Sequence, residues 1–244
     1  MVSPKKPSTY DYPRPALTVD CVLFGFDPVE GLQLLLIRRR GAPFAGHWAL
    51  PGGFVVVRDS GDQGEDLEAA ARRELVEETG AKVAYLEQLG TFGAPGRDPR
   101  GRVVSVAYLA LVRAADHAIV GGDDASEARW TSVEAHLSSR AKLAFDHDEI
   151  LRVAVQRLQA KVRYAPIGFN LLPASFTLGA LQRLYECVLL RSIDKRNFRR
   201  RILAMGILTE VGKQEGVPHR AAALYRFDKA AYARAVRDGF HFVL

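Results

Sequence analysis

The sequence contains few cysteines and has no long apolar run. Its two cysteines, Cys21 and Cys187, lie far apart, with no His or Cys nearby at metal-ligand spacing. This argues against a disulfide framework and a structural zinc site, and predicts two reduced thiols. No stretch reaches the roughly 20 apolar residues that a membrane-spanning helix needs. The N-terminal segment MVSPKKPSTYDYPRPAL is charged and has no apolar centre. We therefore expect no signal peptide, no membrane partner and a cytoplasmic location.

Acidic residues are scarce in the last third of the chain. Residues 1–156 carry 18 Lys and Arg against 22 Asp and Glu, whereas residues 157–244 carry 16 against 6. The net charge of +6 therefore comes wholly from the C-terminal part. Such asymmetry is typical of a polyanion-binding module joined to a different domain. At 244 residues the chain is long enough for two modest domains.

The segment GEDLEAAARRELVEETG at 64–80 predicts a helix with three carboxylates on one face. Glu74, Glu77 and Glu78 are related by i, i+3 and i+4, so they project from the same side. Like charges at this spacing repel, and a hard divalent cation offsets that repulsion. Because Mg²⁺ is usually held by one or two carboxylates plus substrate phosphates, the pattern predicts a metal-assisted phosphate site. The alternative is an exposed acidic helix face.

This segment resembles the Nudix box. Glu65, a seven-residue gap and the run from Arg73 to Ala81, RELVEETGA, fit the family pattern. One departure is that eleven residues, rather than five, separate Gly53 from Glu65, and we expect the extra six to form a loop before the helix. The mixed strand and helix pattern, with the resemblance, predicts an α/β fold, an N-terminal Nudix α/β/α sandwich.

The resemblance also implies a mechanism. Mg²⁺ or Mn²⁺ would be held by Glu74, Glu77, Glu78 and the carbonyl of Gly52, and would activate a water that attacks a diphosphate. Arg73 and Glu65 are expected to pair and to orient the helix. Glu127 is a weaker candidate for an extra metal ligand or general base, with a charge on a strand edge as the alternative.

Other residues are candidates for binding the ligand. Arg38, Arg97 and Arg100 are candidates for anion recognition, because arginine binds phosphate bidentately. Phe44 or Trp48 could stack an adenine, although core packing is the commoner role of both.

The hydrophobic pattern changes near residue 147. Before it we expect strands at 17–26, 32–39, 83–92, 103–113 and 127–131, the box helix at 65–79 and a short helix at 132–139. After it come three helices, the second capped by Thr177 and the third, at 194–205, by Asp194, then two strands around a basic turn. We therefore predict a flexible arm at 1–16, a Nudix domain at 17–146 and a winged helix-turn-helix domain at 147–244.

The third helix, KRNFRRRILAMG, is amphipathic and has a cationic outer face. Phosphate neutralisation supplies most sequence-independent DNA affinity, and Asn can read adenine in the major groove. A solvated basic surface is the alternative. The predicted DNA-binding residues lie on this helix and on the basic turn: Lys195, Arg196, Asn197, Arg199, Arg200, Lys213, His219 and Arg220.

A second resemblance covers nearly the whole chain. YPRPALTVD, WALPGGFV, RDPRG, AFDH, FTLGALQRLYE and DKRNFRRRI are similar to the Nudix-related transcriptional regulators of NAD metabolism, of the NrtR type. The resemblance implies operator DNA and ADP-ribose, or a related nucleotide, as partners; from two-fold operator symmetry we expect a homodimer. Three classes stay open. They are a ligand-controlled regulator with residual hydrolase activity, an ADP-ribose pyrophosphatase with a C-terminal dimerisation domain, and a sensor without catalysis, including sugar-responsive regulators.

Overall fold

The computed structural model describes residues 11–57, 63–114, 125–216 and 221–243, so most of the predicted arm lies outside the described residues. The N-terminal part is built on a seven-stranded mixed sheet. Its elements, in chain order, are β1 (Ala16–Asp27), β2 (Gly31–Arg39), β3 (Trp48–Ala49), β4 (Gly52–Phe54), α1 (Leu67–Thr79), β5 (Tyr85–Phe92), β6 (Val103–Leu111), β7 (Ala125–Ser132), α2 (Val133–Ser138) and α3 (His147–Lys161). Among the described helices, none is long and apolar enough to cross a membrane.

Strand β1 organises the sheet. The order is β3-β2-β1-β6-β5, with β4 also paired to β1 and β7 to β2. β1 runs parallel to β6 from Ala16↔Val103 to Phe24↔Leu111. The short strand β4 is antiparallel to β1, with Asp20 opposite Gly52. This pairing places the glycine pair against the middle of β1.

The sheet is covered by helices on both faces, which confirms the predicted sandwich. Alternate residues of β1 point to opposite faces. Val19, Cys21 and Leu23 pack with Ala71 and Leu75 of α1. Val22 and Phe24 belong to the core on the other face, which includes Leu151 and Ala154 of α3.

Helix α1 begins and ends at identifiable caps. The carboxylate of Asp66 accepts hydrogen bonds from the N–H groups of Glu68 and Ala69. Gly80 adopts the left-handed conformation with φ 71°, so the helix ends at residue 79, the predicted end. The helix starts at Leu67 and not at Glu65, because Asp66 takes the N-cap position.

The C-terminal part is a winged helix, as predicted. A 3₁₀ helix, Pro166–Leu171, is followed by β8 (Phe176–Thr177), α4 (Leu178–Leu189), α5 (Lys195–Ala204), β9 (Leu208–Lys213), β10 (Ala223–Phe227) and α6 (Lys229–Arg237). The strands form a sheet in the order β8-β10-β9. The side chains of Thr177 and Asp194 cap α4 and α5, which confirms both predicted N-caps. Helix α6 was not predicted, and it contributes no buried residue.

One continuous core joins the two parts. It extends from Val22 and Phe24 of β1 through α3 and α4 to Phe198 and Ile202 of α5. Helix α3 is the bridge. Arg157 donates to Glu87 Oε1 at 3.0 Å on the sheet side. Gln159 Nε2 donates to the carbonyl of Val188 in α4 at 3.0 Å. The predicted boundary at 146/147 falls at the start of this bridging helix and stays a prediction.

Candidate functional site

A cavity of about 460 Å³ opens where β1, β4, α1 and the loop before α3 meet. Its lining combines carboxylates with arginines, so it suits a ligand that carries phosphates and binds with a cation. Of the residues predicted from the sequence, six line it: Gly52, Arg73, Glu74, Glu78, Arg97 and Arg100.

The glycine pair allows α1 to approach the strands closely. A Cβ atom on Gly52 would lie 2.2 Å from the carbonyl oxygen of Val19, and one on Gly53 would lie 2.3 Å from Glu74 Oε1. The N–H of Gly52 donates to Glu78 Oε2 at 2.8 Å. A side chain at Gly52 would meet the backbone of β1, and one at Gly53 would have to displace the carboxylate of Glu74, so the glycines leave room for the two glutamates.

Arg73 gathers three carboxylates. It lies 2.6 Å from Glu65, 2.7 Å from Glu74 and 2.9 Å from Glu77. The hydrogen bonds that Arg73 donates to these carboxylates, above all to Glu65, raise the pKa of Arg73. The geometry agrees with the predicted pair of Arg73 and Glu65, and it fixes the start of α1.

The insert before α1 leaves this arrangement intact. Val56 N donates to Glu65 Oε1 at 2.9 Å. Glu65 N donates to Val56 O at 3.1 Å. These two bonds bring Glu65 back beside Val56. The extra residues between them therefore do not displace the glycine pair. Residues 58–62 of the insert lie outside the described residues.

The donor set fits a divalent cation in its chemistry. Glu74 and Glu78 are buried at the cavity, whereas Glu77 is half-exposed and does not line it. Burial raises the pKa of Glu74 against the opposing effect of Arg73, and a nearby cation would favour the ionised form. In the described part of the chain, no three His, Cys, Asp or Glu residues are grouped closely enough to hold a metal ion. Phosphate oxygens of a ligand would therefore have to complete the coordination of a cation at Glu74 and Glu78.

A buried polar network forms the floor of the cavity. Asp20 accepts from Ser105 Oγ at 2.6 Å and from Arg97 Nη2 at 3.2 Å. His147 Nε2 lies 3.4 Å from Asp20 Oδ1. His147 Nδ1 accepts from the N–H of Leu50 at 2.9 Å, so the ring proton belongs on Nε2, facing Asp20. The network joins β1, β6 and the first residue of α3.

Arg97 is committed to this network. Its side chain is 4% exposed and pairs with Asp146 at 2.6 Å as well as with Asp20. A ligand phosphate would have to compete with two carboxylates, so the geometry favours a structural role. Arg100 is more available. It pairs with Asp98 at 2.7 Å, is 41% exposed, and its guanidinium lies 5.0 Å from the ring centroid of Phe54.

The other predicted ligand residues lie outside the cavity lining. Arg38 and Glu127 face each other across β2 and β7, 3.7 Å apart, which corresponds to the strand-edge alternative for Glu127. Trp48 packs under the guanidinium of Arg129 at 3.8 Å. Phe44 contacts the ring of Phe145, a lining residue, at 4.8 Å between centroids. Phe44 thus reaches the rim of the cavity only through Phe145.

Several lining residues were not predicted as site residues: Asp20, Arg39, Phe145 and His147. Phe145 and His147 belong to the AFDH run, whose two ring side chains lie 5.2 Å apart between centroids. A sequence signal for these residues therefore existed. Asp20 lies in the mostly apolar strand β1, and the only sequence signal for it is a charged residue that is not at the end of that strand.

The second candidate site is the outer face of α5. Phe198 and Ile202 are buried, and the aromatic ring of Phe198 packs against Tyr185 of α4 at 5.9 Å. The predicted DNA-binding residues of the helix are all exposed: Lys195, Arg196, Asn197, Arg199 and Arg200. Arg200 Nη2 donates to Asn197 Oδ1 at 2.9 Å, so these two side chains form one unit. Lys213 is exposed at the end of β9, and His219 and Arg220 lie outside the described residues.

The turn before α5 is held by a carboxylate of α4. Glu186 Oε1 accepts from the N–H of Ile193 at 2.9 Å and from Gln182 Nε2 at 3.0 Å. Gln182 also donates to the carbonyl of Ile193 at 3.0 Å. These bonds fix how α5 is presented relative to α4.

Comparison with known families agrees with both parts. The model of the NUDIX domain matches residues 14–154, and that of the NrtR DNA-binding winged helix domain matches residues 168–227. The fold and its two sites therefore define a Nudix protein with a DNA-binding winged helix. The chain belongs to the NrtR family.

Individual relatives are similar over long stretches. The chain is 40% identical over 219 residues to the ADPR responsive transcriptional repressor NtrR of Acinetobacter baylyi, covering 89% of this chain and 84% of the relative. It resembles Shewanella oneidensis NrtR in complex with a 27mer DNA, with a TM-score of 0.73, 32% identity and coverage of 93% and 97%. It also resembles the NUDIX domain of that protein complexed with ADP ribose, with a TM-score of 0.53, 36% identity and coverage of 61% and 94%.

Proposed function

We propose that this protein is a DNA-binding transcriptional repressor whose operator affinity is controlled by ADP-ribose. The observation that carries the proposal is the presence, on one core, of a cation- and phosphate-suited cavity and an exposed cationic helix α5. The solved structures of a relative support DNA binding and ADP-ribose binding separately, because one Shewanella oneidensis NrtR structure contains DNA and another contains ADP ribose. Control of NAD-metabolism genes stays a prediction.

The ligand occupies the cavity with its diphosphate near Arg100 and the glutamates of α1. Arg100 is one of the partly exposed arginines of the lining, and the carboxylate that a phosphate would have to displace from it is that of Asp98. Glu74 and Glu78, which each lie against the glycine pair, would hold a divalent cation, and that cation would supply positive charge to the diphosphate. Phe54 and Phe145, the aromatic residues of the lining, offer surfaces for the adenine.

The test measures operator binding with and without ADP-ribose. Fluorescence anisotropy of a labelled operator duplex should show a change in Kd of about fivefold or more on adding ADP-ribose with Mg²⁺, since typical coupling between sites is of this size. Arg100→Gln should reduce the response, while Arg140→Gln, which changes an exposed arginine outside the cavity lining, should respond as wild type. If the Kd for the operator is unchanged at every ADP-ribose concentration, ADP-ribose does not control operator binding.

A second candidate activity is hydrolysis of the bound diphosphate. The box carboxylates are all present, and Glu74 and Glu78 line the cavity. In this case the protein releases AMP from ADP-ribose in the presence of Mg²⁺ or Mn²⁺. Glu78→Gln should remove metal-stimulated AMP release, and circular dichroism should show a retained fold. If wild-type protein releases no AMP with either metal, the cavity serves for sensing alone.

A further inference from the structure

A second cavity, of about 950 Å³, lies between the two domains. The Nudix domain contributes the end of β6 and the loop before β5, including Lys82 and Arg113. The winged helix domain contributes the 3₁₀ helix, β10 and the start of α6. No residue of this lining is shared with the Nudix cavity. Its volume is in the range of small-molecule sites, which is roughly 300–1,000 Å³.

One wall of this cavity is a row of aromatic rings. Phe169 and Phe227 stack with 4.3 Å between centroids and 7° between planes. Phe176 lies 5.6 Å from Phe169, and Tyr232 lies 5.8 Å from Phe227. Phe169 and Phe176 are buried, while Phe227 and Tyr232 are half-buried and keep part of their surface towards the cavity. A flat ring could extend this row at low cost, because stacking buries apolar area on both partners.

The rim is cationic on both sides. Lys82 and Arg113 come from one domain, and Arg226 and Lys229 come from the other. Among the described residues of the lining, the acidic one is Asp228. Its carboxylate accepts from the N–H of Ala231 at 2.8 Å and caps α6. Cations of two domains that face the same cavity repel, and a bound anion would relieve that repulsion.

We propose that this cavity binds a small aromatic acid, with its ring on the Phe227 and Tyr232 wall and its anionic group between the cations of the two domains. The site is distinct from the 460 Å³ Nudix cavity, and the proposal stands whether or not ADP-ribose is the effector.

The test uses anilinonaphthalene sulfonate, an aromatic anion whose fluorescence rises on binding, with the full-length protein. Wild type should bind one probe per chain with saturation. The double variant Arg226→Gln/Lys229→Gln should bind about fivefold more weakly, since each exposed ion pair contributes a modest amount. The matched control is Arg140→Gln/Lys142→Gln, which removes two exposed cations of the Nudix domain and should bind as wild type.

Two further measurements separate this site from others. Tyr232→Leu should weaken probe binding by removing part of the aromatic wall, with the fold checked by circular dichroism. The uncharged N-phenyl-1-naphthylamine should be insensitive to the loss of Arg226 and Lys229. Equal binding of the sulfonate by the double variant and its control would overturn the proposal. Displacement of the sulfonate by ADP-ribose in stoichiometric competition would also overturn it, because the probe would then occupy the Nudix cavity.

Discussion

At the scale of single residues, Asp20 is a buried carboxylate of the Nudix cavity with a lowered pKa. Burial opposes its ionisation, but His147, the hydroxyl of Ser105 and the guanidinium of Arg97 outweigh burial and lower its pKa from 3.8 to about 2. The folded state therefore holds a carboxylate that the unfolded chain would protonate more readily. Its contribution to stability is fully present above pH 3.8 and is lost as the pH falls towards 2.

The first prediction is that the unfolding free energy of Asp20→Asn falls less steeply at acid pH than that of the wild type. The pKa shift corresponds to about 2 kcal/mol of unfolding free energy. Urea unfolding followed by circular dichroism at pH 7, 4 and 3 should show wild type losing stability more steeply than the variant between pH 4 and 3. Because the neutral amide would leave Arg97 with less compensation, the variant should also be less stable at pH 7. Parallel pH profiles for both proteins would contradict the assigned network.

Residues of the cavity differed in how well the sequence predicted them. Glu74, Glu78 and Gly52 were predictable because the box sets their spacing within one helix and one loop. Asp20 and His147 were not, because they meet through a contact between β1 and α3 that no local pattern encodes. Arg97 was predicted as an anion contact, but its burial between Asp20 and Asp146 could be seen only in the folded chain.

At the scale of elements, α5 can present most of its surface to DNA because only a narrow apolar stripe packs against the rest of the domain. Phe198 and Ile202 anchor it, and the remaining surface is exposed. The caps at Thr177, Asp194 and Gly80 were predictable, since capping is local chemistry. Helix α6 was not predicted, although its apolar residues give a helix-period signal and its half-buried Tyr232 packs against the core. The strands β3 and β4 are too short for such a signal.

The second prediction concerns the cations of α5. Arg199→Ala should weaken binding to every duplex alike and lower the salt slope by about one unit, as expected for a phosphate contact. Asn197→Ala should cost about 1–3 kcal/mol on the operator and relax specificity, because it removes the side chain that is predicted to read a base and that also holds Arg200. Anisotropy titrations at several salt concentrations provide both quantities.

The control for these variants is in the same helix. Arg201 Nη2 donates to the carbonyl of Val243 at 3.3 Å and so is directed towards the C-terminal segment. Arg201→Ala should therefore change operator affinity less than Arg199→Ala. If Arg199→Ala and Asn197→Ala both bind the operator as wild type does, α5 is not the DNA-contacting helix.

The third prediction treats α3 as the link between the sites. Its first residue, His147, belongs to the floor of the Nudix cavity, and Gln159 donates to Val188 in α4. Gln159→Met removes that bond and keeps the length of the side chain. ADP-ribose affinity, measured by calorimetry, should be unchanged, while the ADP-ribose effect on operator affinity should fall several-fold. A variant with the full effect would show that the signal travels by another route.

At the scale of the whole molecule, the charge of the chain is divided by domain. The excess of Lys and Arg after residue 156 was visible in the sequence, and α5 exposes much of it on one surface. A single winged helix reads few base pairs, and two-fold symmetry doubles that number.

The fourth prediction is a homodimer on a two-fold operator. Light scattering should give twice the 26.9 kDa chain mass in free solution and two chains per duplex on a palindromic operator. Moving the half-sites apart by half a helical turn should weaken binding, whereas a full turn should restore much of it. A monomer both free and on DNA would contradict this prediction.

The continuous core that runs from β1 to α5 bears on how such a regulator can be recombined. A domain attached by a linker can be exchanged as a cassette, because its surface needs no particular neighbour. Here Leu151 of α3 and Leu184 of α4 belong to the same cluster, together with Phe198 of α5. A chimera that keeps this winged helix must therefore also keep the matching face of α3. The winged helix and the Nudix domain would thus have to be transferred together.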